Sequence, residues 1–271
     1  MLFFTNLPKL KKIGIFDSGL GGLTVLEELV RQLPSYSFIY YADTLNCPYG
    51  PKGKDEIIRI SSQITEFLIS LGCSTIVVAC NTATAAAIDF LRENYEILFV
   101  GMEPAVKPAA LATKTKSIGV LATEGTFNGR LYRETTSKYA ANINVSYQVG
   151  EGLVEMVENG TLHSFEAENL LRSYIEPMLK DNIDHLVLGC THYPFYMNVL
   201  KEIVGDSVEI IDPAPAVAQQ AKRIVEDFCK DILVYNTTTA THFYSTGTIG
   251  ILKKLAALLG DSKRMNTYSQ I

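Results

Sequence analysis

The sequence predicts an α/β protein built from two similar domains, each a mostly parallel sheet flanked by helices, with an active site in the cleft between them. Short apolar runs alternate with amphipathic stretches along the chain, which is typical of parallel strands covered by helices on both faces. Polar residues follow several of these runs, at the points where the predicted strands end. Two of the runs recur further along the chain at a nearly constant offset, which suggests that one half of the protein repeats the other.

The first half of the chain is expected to contain four strands separated by helices. The predicted strands cover residues 13–16, 38–42, 76–79 and 97–100. The predicted helices cover residues 23–33, 55–71 and the alanine-rich run after residue 84, a composition that strongly favours helix. A glycine-rich turn at residues 17–22 joins the first strand to the first helix, and an irregular loop covers residues 43–51.

The second half continues the alternation after Pro104. Its predicted strands cover residues 118–121, 143–149, 186–188, 208–211 and 242–244, with a turn at residues 122–126. A predicted helix follows the turn at residues 122–126, and further helices cover residues 153–158 and 166–180. A last helix runs from a turn at Pro213 and Pro215 to Cys229. We expect residues 1–101 and 213–271 to form the first domain and residues 102–212 the second.

The composition excludes several classes of function. The 271 residues are 47% hydrophobic and 20% charged, with a formal net charge of −5 and no cluster of Lys or Arg. This balance argues against a nucleic-acid-binding surface. No apolar run approaches the roughly 18–20 residues that a membrane span requires, and residues 1–12 lack the pattern of a signal peptide. We therefore expect a cytoplasmic protein that binds neither nucleic acid nor a membrane.

The internal repeat brings two cysteines into equivalent positions. The run from Ile13 matches the run from Ile118, and Val77-Val78-Ala79-Cys80 matches Val187-Leu188-Gly189-Cys190. Apolar strands resemble one another by chance, but a cysteine at the same place in both halves favours a true repeat. Two such halves facing each other would bring both strand-end thiols to one cleft.

The cysteines fall into two groups. All five are dispersed and form no C-x-x-C pair, which indicates free thiols rather than a disulfide framework; they are Cys47, Cys73, Cys80, Cys190 and Cys229. A lone buried cysteine is most often a small hydrophobic residue, and we keep this interpretation for Cys47, Cys73 and Cys229. Cys80 and Cys190 each end an apolar strand and have polar neighbours, so they are candidates for proton or nucleophilic chemistry.

Asp17 and His192 are the candidate partners of these thiols, and each also has an ordinary structural explanation. Asp17 follows the first strand, where Asp often caps a helix, but it would also lie near Cys80 at the same sheet edge. His192 stands two residues after Cys190. It is either a polar residue at the start of a helix or an imidazole that favours the thiolate and relays protons.

The ligand suggested by these motifs is a small anionic zwitterion. The glycine-rich turn matches neither the dinucleotide fingerprint nor the Walker A sequence, so a nucleotide site is not expected. The strand-end motifs contain Ser, Thr and Asn but no Lys or Arg. Backbone N–H groups at helix starts would then hold carboxylates, although the hydroxyl residues also suit helix caps.

A metal site made from Cys80, Cys190, His192 and Asp17 is conceivable, but we expect no metal. The C-x-H spacing at one strand end is unusual for zinc, and two thiols on facing domains would need a closed cleft.

Two equivalent thiols suit the inversion of an amino-acid centre without a cofactor. Such a reaction needs a base on one face of the α-carbon and an acid on the other. Two thiols of similar acidity serve both directions, and the motifs show no Lys for pyridoxal phosphate. The alternatives are a two-domain module that clamps an anion without chemistry and a redox protein in which Cys80 and Cys190 form a disulfide.

Four blocks resemble the sequence motifs of glutamate racemases and occur in that family's order. They are Phe16–Val25, Cys47–Pro51, Ala79–Thr84 and Gly189–Pro194. The resemblance implies a cofactor-independent enzyme that interconverts L- and D-glutamate and supplies D-glutamate for peptidoglycan, usually as a homodimer. An aspartate racemase is the nearest rival, because related enzymes share the two-cysteine plan; the Cys47 and Cys190 blocks favour glutamate.

The resemblance also implies roles for individual residues. Cys80 and Cys190 would be the acid/base pair, with Asp17 and His192 as their helpers. The residues expected to line the glutamate site are Asp17, Ser18, Tyr49, Gly50, Asn81, Thr82, Thr126, Thr191 and His192. Glu158 also matches a position near the site, but residues 150–158 lack the Cys-Pro pair and the Val-Pro-Leu-Val-Glu-like run common in the family. Its placement is therefore left open.

Overall fold

The computed structural model describes residues 12–103, 105–228, 239–257 and 265–271. These residues contain strands β1 (Lys12–Asp17), β2 (Ser37–Ala42), β3 (Thr75–Val78), β4 (Leu98–Gly101), β5 (Ser117–Ala122), β6 (Asn144–Val149), β7 (His185–Gly189), β8 (Glu209–Ile211), β9 (Ala240–Ser245) and β10 (Met265–Gln270). The helices are α1 (Leu23–Gln32), α2 (Lys54–Ser70), α3 (Asn81–Asn94), α4 (Val106–Ala112), α5 (Glu124–Phe127), α6 (Arg130–Tyr139), α7 (Leu153–Glu158), α8 (Phe165–Lys180), α9 (Met197–Val204), α10 (Ala214–Phe228) and α11 (Ile249–Ala256). Short 3₁₀ turns cover Tyr193–Tyr196 and Gly205–Ser207.

The strands form two parallel sheets with the same internal order. The first sheet runs β10-β9-β2-β1-β3-β4 and the second runs β6-β5-β7-β8. Every strand pair described in either sheet is parallel. The order β2-β1-β3-β4 in the first sheet corresponds strand by strand to the order of the second. The α/β class with two similar parallel sheets is therefore confirmed, and the topology agrees with the predicted repeat.

Both faces of the first sheet are covered, which explains why its strands are nearly continuous apolar runs. Along β1, Ile13 and Ile15 pack with α1 and α10 on one face, while Phe16 packs with α2 and α3 on the other. All three side chains are buried. Each fully buried side chain of this size contributes roughly 1.5–3 kcal/mol relative to exposure. The helical spacing of apolar residues on the covering helices follows from the same packing.

The second sheet is built in the same way. On β5, Leu121 packs with α7, α8 and α9, while Ile118 and Val120 face the opposite cluster that contains residues of α4 and α6. In the part of the chain that the structure describes, no helix is long and apolar enough to span a membrane.

Several elements differ from the sequence prediction. Helices α4, α9 and α11 and strand β10 were not predicted. The expected turn at residues 122–126 is largely the short helix α5, because the Thr123 hydroxyl accepts a hydrogen bond from the Thr126 N–H at 3.3 Å and caps it. The predicted end of the last helix at Cys229, Pro104 and most of residues 1–12 lie outside the described residues.

The carboxyl ends of corresponding strands carry the predicted functional residues. In the first sheet, β1 ends at Asp17 and pairs with β3, which leads into Cys80. In the second, β5 ends at Ala122 beside Gly189 of β7, which leads into Cys190. Ligands of open α/β sheets bind outside this edge.

Candidate active site

Cys80 stands between the end of β3 and the first turn of α3. Its sulfur accepts a hydrogen bond from the Ala83 N–H at 3.4 Å and so caps the helix. Its thiol donates to the Ser18 hydroxyl at 3.7 Å, which links it to the glycine-rich turn after β1. The residue is buried and free of any disulfide.

The surroundings of Cys80 keep it protonated. Burial raises the pKa of the Cys80 thiol to about 12, and the negative charge of Asp17 acts in the same direction. The hydrogen bonds with Ala83 and Ser18 oppose this shift without reversing it. At neutral pH, Cys80 is therefore a thiol that can donate a proton.

Cys190 has an imidazole beside it. Its sulfur lies 3.8 Å from His192 Nδ1, and the other ring nitrogen of His192 lies 2.6 Å from Glu158 Oε1. Burial of His192 disfavours its charged form, but hydrogen bonds with Cys190, Cys47 and Glu158 outweigh burial and raise its pKa well above the ordinary value. These contacts favour the charged form of His192, whose two ring nitrogens face a sulfur and a carboxylate.

Glu158, whose placement the sequence left open, joins the two halves of the molecule at this point. It ends α7, and its Oε1 accepts a hydrogen bond from the Leu20 N–H of the glycine-rich turn at 2.6 Å. A side chain at Gly19 would collide with the Glu158 carboxylate, so this approach requires a glycine. No local sequence pattern could predict the contact between Glu158 and Leu20, because the two residues lie far apart in the chain.

Asp17 also connects the halves. Its carboxylate accepts hydrogen bonds from the Gly19 N–H at 3.0 Å and from the Thr191 hydroxyl at 3.2 Å. Burial raises its pKa, while the positive charge of His192 opposes the shift. Helix α1 has Gly22 at its N-cap, so Asp17 does not occupy the cap position considered from the sequence.

A chain of hydroxyl groups crosses from α3 to the end of β7. Thr82 Oγ1 lies 2.8 Å from Thr123 Oγ1, which lies 2.9 Å from Thr126 Oγ1. Thr126 donates to the Gly189 carbonyl at 3.4 Å. Thr82 and Thr126 were candidate site residues; Thr123 was not, although its position after β5 matches that of polar residues after the other strands.

The remaining candidates lie in the same region. Tyr49 is buried in the cluster that contains Cys80, and its hydroxyl donates to the Asp43 carboxylate at 2.6 Å. A Cβ added at Gly50 would lie 3.5 Å from Cβ of Thr123. Asn81 is buried, and its side-chain oxygen has no hydrogen-bond partner among the described residues. A buried acceptor without a donor suits a ligand that brings one.

The structure therefore brings predicted residues of both sheets together at the carboxyl ends of their strands. Residues 13–221 match the family model of the Asp/Glu/Hydantoin racemases. The chain belongs to this family. The prediction of an amino-acid racemase is confirmed at the level of the enzyme class.

Individual relatives of this racemase are similar over most of their length. A glutamate racemase from Herpetosiphon aurantiacus is 46% identical over 213 residues, which are 79% of this chain and 84% of the relative. A crystal structure of a glutamate racemase isoform from Bacillus anthracis has a TM-score of 0.85 and 33% identity, covering 97% of this chain and 98% of that one. A Francisella tularensis glutamate racemase in complex with D-glutamate has a TM-score of 0.82 and 28% identity, covering 97% and 98%.

Proposed function

We propose that this racemase interconverts L- and D-glutamate without a cofactor, using Cys80 and Cys190 as its two acid/base groups. The observation that supports this most directly is the placement of two free thiols after the equivalent strands β3 and β7. Each thiol has a polar partner of its own, Ser18 on one side and His192 on the other. The similarity to glutamate racemases, one of them bound to D-glutamate, supports glutamate as the substrate.

The reaction moves one proton off the α-carbon and another onto its opposite face. For the enantiomer whose α-hydrogen faces Cys190, the Cys190 thiolate takes that proton while the Cys80 thiol donates its own to the other face. The carbon is inverted, Cys190 ends as a thiol and Cys80 as a thiolate. The opposite enantiomer reverses both transfers, so no other acid or base is consumed.

The neighbours of each thiol support these transfers. His192 can exchange a proton with Cys190 because its Nδ1 faces the sulfur, and Glu158 fixes the orientation of the ring through Nε2. Asp17 and Ser18 act on Cys80 through charge and a hydrogen bond. A cleft that excludes water would strengthen these interactions and those that hold the carbanionic intermediate.

Glutamate would be held by hydrogen-bonding groups rather than by Lys or Arg. The unpartnered oxygen of Asn81 is an acceptor for the α-ammonium, and hydroxyls and backbone N–H groups would receive the carboxylates. We assign the lining to Asp17, Ser18, Tyr49, Gly50, Asn81, Thr82, Thr126, Thr191 and His192. The sequence motifs that carry these residues contain no Lys or Arg, which suits recognition through hydrogen bonds.

We extend the proposal to the setting of the enzyme. Residues 1–101 with 213–271 and residues 102–212 would act as two domains that close on the substrate, in a cytoplasmic homodimer. The product D-glutamate would supply peptidoglycan synthesis and so maintain cell shape. Light scattering of the purified protein tests the dimer, and growth of a D-glutamate auxotroph that expresses the chain tests the biosynthetic role.

The racemase reaction is tested by incubating the purified enzyme with L-glutamate in deuterated water without added cofactor. We expect optical rotation to decay to zero and deuterium to appear at the α-carbon, since the incoming proton comes from a thiol that exchanges with solvent. L-Aspartate is assayed in parallel. Unchanged rotation and no deuterium with L-glutamate would refute the proposal, and faster turnover of L-aspartate would assign the enzyme to the rival substrate.

A further inference from the structure

Three side chains with metal-binding atoms lie close together near Cys190. They are Cys47 from the loop after β2, Glu158 at the end of α7 and His192 after β7. One donor atom from each, a sulfur, a carboxylate oxygen and a ring nitrogen, lies within 4.8 Å of the other two. This is a different group from the one considered on the sequence, and it shares only His192 with it.

The donor set suits zinc. Zn²⁺ binds thiolate, imidazole and carboxylate at about 2.0–2.3 Å in tetrahedral sites, which places the ligand atoms about 3.3–3.8 Å apart. The three donor atoms lie within 4.8 Å of one another, which is close to that spacing. A sulfur ligand disfavours Mg²⁺ and Ca²⁺, which prefer oxygen ligands. The thiolate and the carboxylate together would balance the charge of a divalent ion.

The protein also orients these ligands. The hydrogen bond of 2.6 Å between Glu158 Oε1 and His192 Nε2 already brings two of the ligands together, and a bound ion would replace the proton between them. The Glu158 carboxylate is fixed from outside the ligand set by the Leu20 N–H at 2.6 Å. Cys47 and Glu158 are partly exposed, which gives an ion access from solvent. A hydrogen bond to a metal ligand from outside the ligand set, such as the one from Leu20, preorganises a site before the ion arrives.

We propose that Cys47, Glu158 and His192 form an inhibitory site for a thiophilic divalent cation, best matched by Zn²⁺. The bound ion would occupy one ring nitrogen of His192, whose Nδ1 lies 3.8 Å from the Cys190 sulfur. A metal-bound ring cannot become an imidazolium, so His192 could no longer exchange a proton with Cys190. Inhibition therefore rests on the proposed function of His192, whereas binding of the ion rests on the three ligands alone.

The test measures binding and inhibition separately. Zn²⁺ is titrated into the chelator-treated enzyme by calorimetry and during racemisation of glutamate, and Co²⁺ serves as a spectroscopic substitute that shows thiolate charge-transfer and tetrahedral d–d absorption. Cys47→Ala is compared with Cys73→Ala, which removes a buried thiol packed beside Gly14 and Leu68. Replacing a residue that only hydrogen-bonds to a metal ligand costs roughly 10–100-fold in metal affinity. Loss of the ligand Cys47 should therefore weaken Zn²⁺ binding by about 100-fold or more. The affinity of Cys73→Ala for Zn²⁺ should be unchanged.

Two further variants make the test decisive. Cys190→Ser should keep the Co²⁺–thiolate absorption, and Glu158→Gln should keep the absorption but bind more weakly; circular dichroism verifies that each variant is folded. Undiminished Zn²⁺ affinity in Cys47→Ala, or loss of the thiolate absorption in Cys190→Ser, would overturn the site and place the metal on the reacting thiols. A protein that binds Co²⁺ through Cys47 yet fails to racemise glutamate would refute the proposed function and leave the metal site standing.

Discussion

Cys80 and Cys190 occupy the same place in two sheets of the same strand order, yet their surroundings differ. Around Cys80 are a hydroxyl, a backbone N–H and the negative charge of Asp17. Beside Cys190 is a buried imidazole that is itself held by Glu158. The backbone repeat thus sets where the two sulfurs lie, while the side chains around them differ in charge.

This difference indicates how a nearly symmetric reaction can start from an asymmetric enzyme. Burial and Asp17 keep Cys80 in its thiol form. Cys190 lies 3.8 Å from His192 Nδ1, which can exchange a proton with it. In the free enzyme we therefore expect Cys80 to act first as the acid and Cys190 first as the base.

The largest effect is expected from replacing either thiol. Cys80→Ser and Cys190→Ser should each reduce racemisation by about 10²–10⁴-fold, because a serine hydroxyl is a far weaker base than a thiolate and one acid/base partner is lost. Polarimetry in both directions measures the loss, with Cys73→Ala as the control for removal of a buried thiol. Retention of a tenth or more of the activity by either variant would remove that thiol from the acid/base pair.

A smaller and unequal effect is expected from the partners of the thiols. His192→Asn should lower kcat by about 10²-fold, the lower end of the range for a proton-transfer group. Ser18→Ala removes one hydrogen bond of about 1 kcal/mol and should lower kcat by about fivefold. Measuring kcat for both enantiomers in each variant shows which thiol each partner supports. A greater loss of kcat in Ser18→Ala than in His192→Asn would reverse this order of the two partners.

The smallest expected effect is a change in the thermal stability of the protein when Asp17 is replaced. The folded-state pKa of Asp17 is raised, so the folded protein binds more protons than the unfolded chain as Asp17 titrates. Stability from this group is therefore greatest below its unfolded pKa of about 3.9 and declines as pH rises through the folded pKa. Asp17→Asn removes the buried charge and should raise Tm at pH 7 by about 2–4 °C while impairing racemisation.

Calorimetry between pH 4 and pH 7 measures this difference, since the advantage of Asp17→Asn should grow with pH. Asp55→Asn at the exposed start of α2 is the matched control. A destabilised Asp17→Asn protein at pH 7 would mean that the hydrogen bonds to Gly19 and Thr191 outweigh the burial of the charge.

The sequence predicted most strands and the positions of both thiols because these features are local. An apolar run such as Ile13 to Phe16 needs burial on both faces, and polar residues directly after it must lie at the sheet edge. The last strand is different, because β10 (Met-Asn-Thr-Tyr-Ser-Gln) contains no apolar run: it lies at the edge of the first sheet, where one side needs no partner. Helix α11 contains Gly250, a residue that weakens a helical pattern.

The partners of the thiols were only partly predictable. Thr191 and His192 follow Cys190 directly, so their proximity could be inferred from the sequence. The contact between Glu158 and Leu20 spans 138 positions, and neither residue carries a local signal of the other. Cys47 looked like an ordinary core cysteine for the same reason, since its neighbours His192 and Glu158 come from the other half of the chain.

The order of the strands in the first sheet has a consequence for synthesis on the ribosome. Strand β9 pairs with β2, so Phe38 finds its neighbour Thr241 only after the whole second sheet has been made. Strands β5 to β8 are contiguous in the chain and can assemble as soon as they emerge. One edge of β2 therefore stays open during most of translation, and an open edge can pair with other chains. The nascent enzyme completes its second sheet before its first.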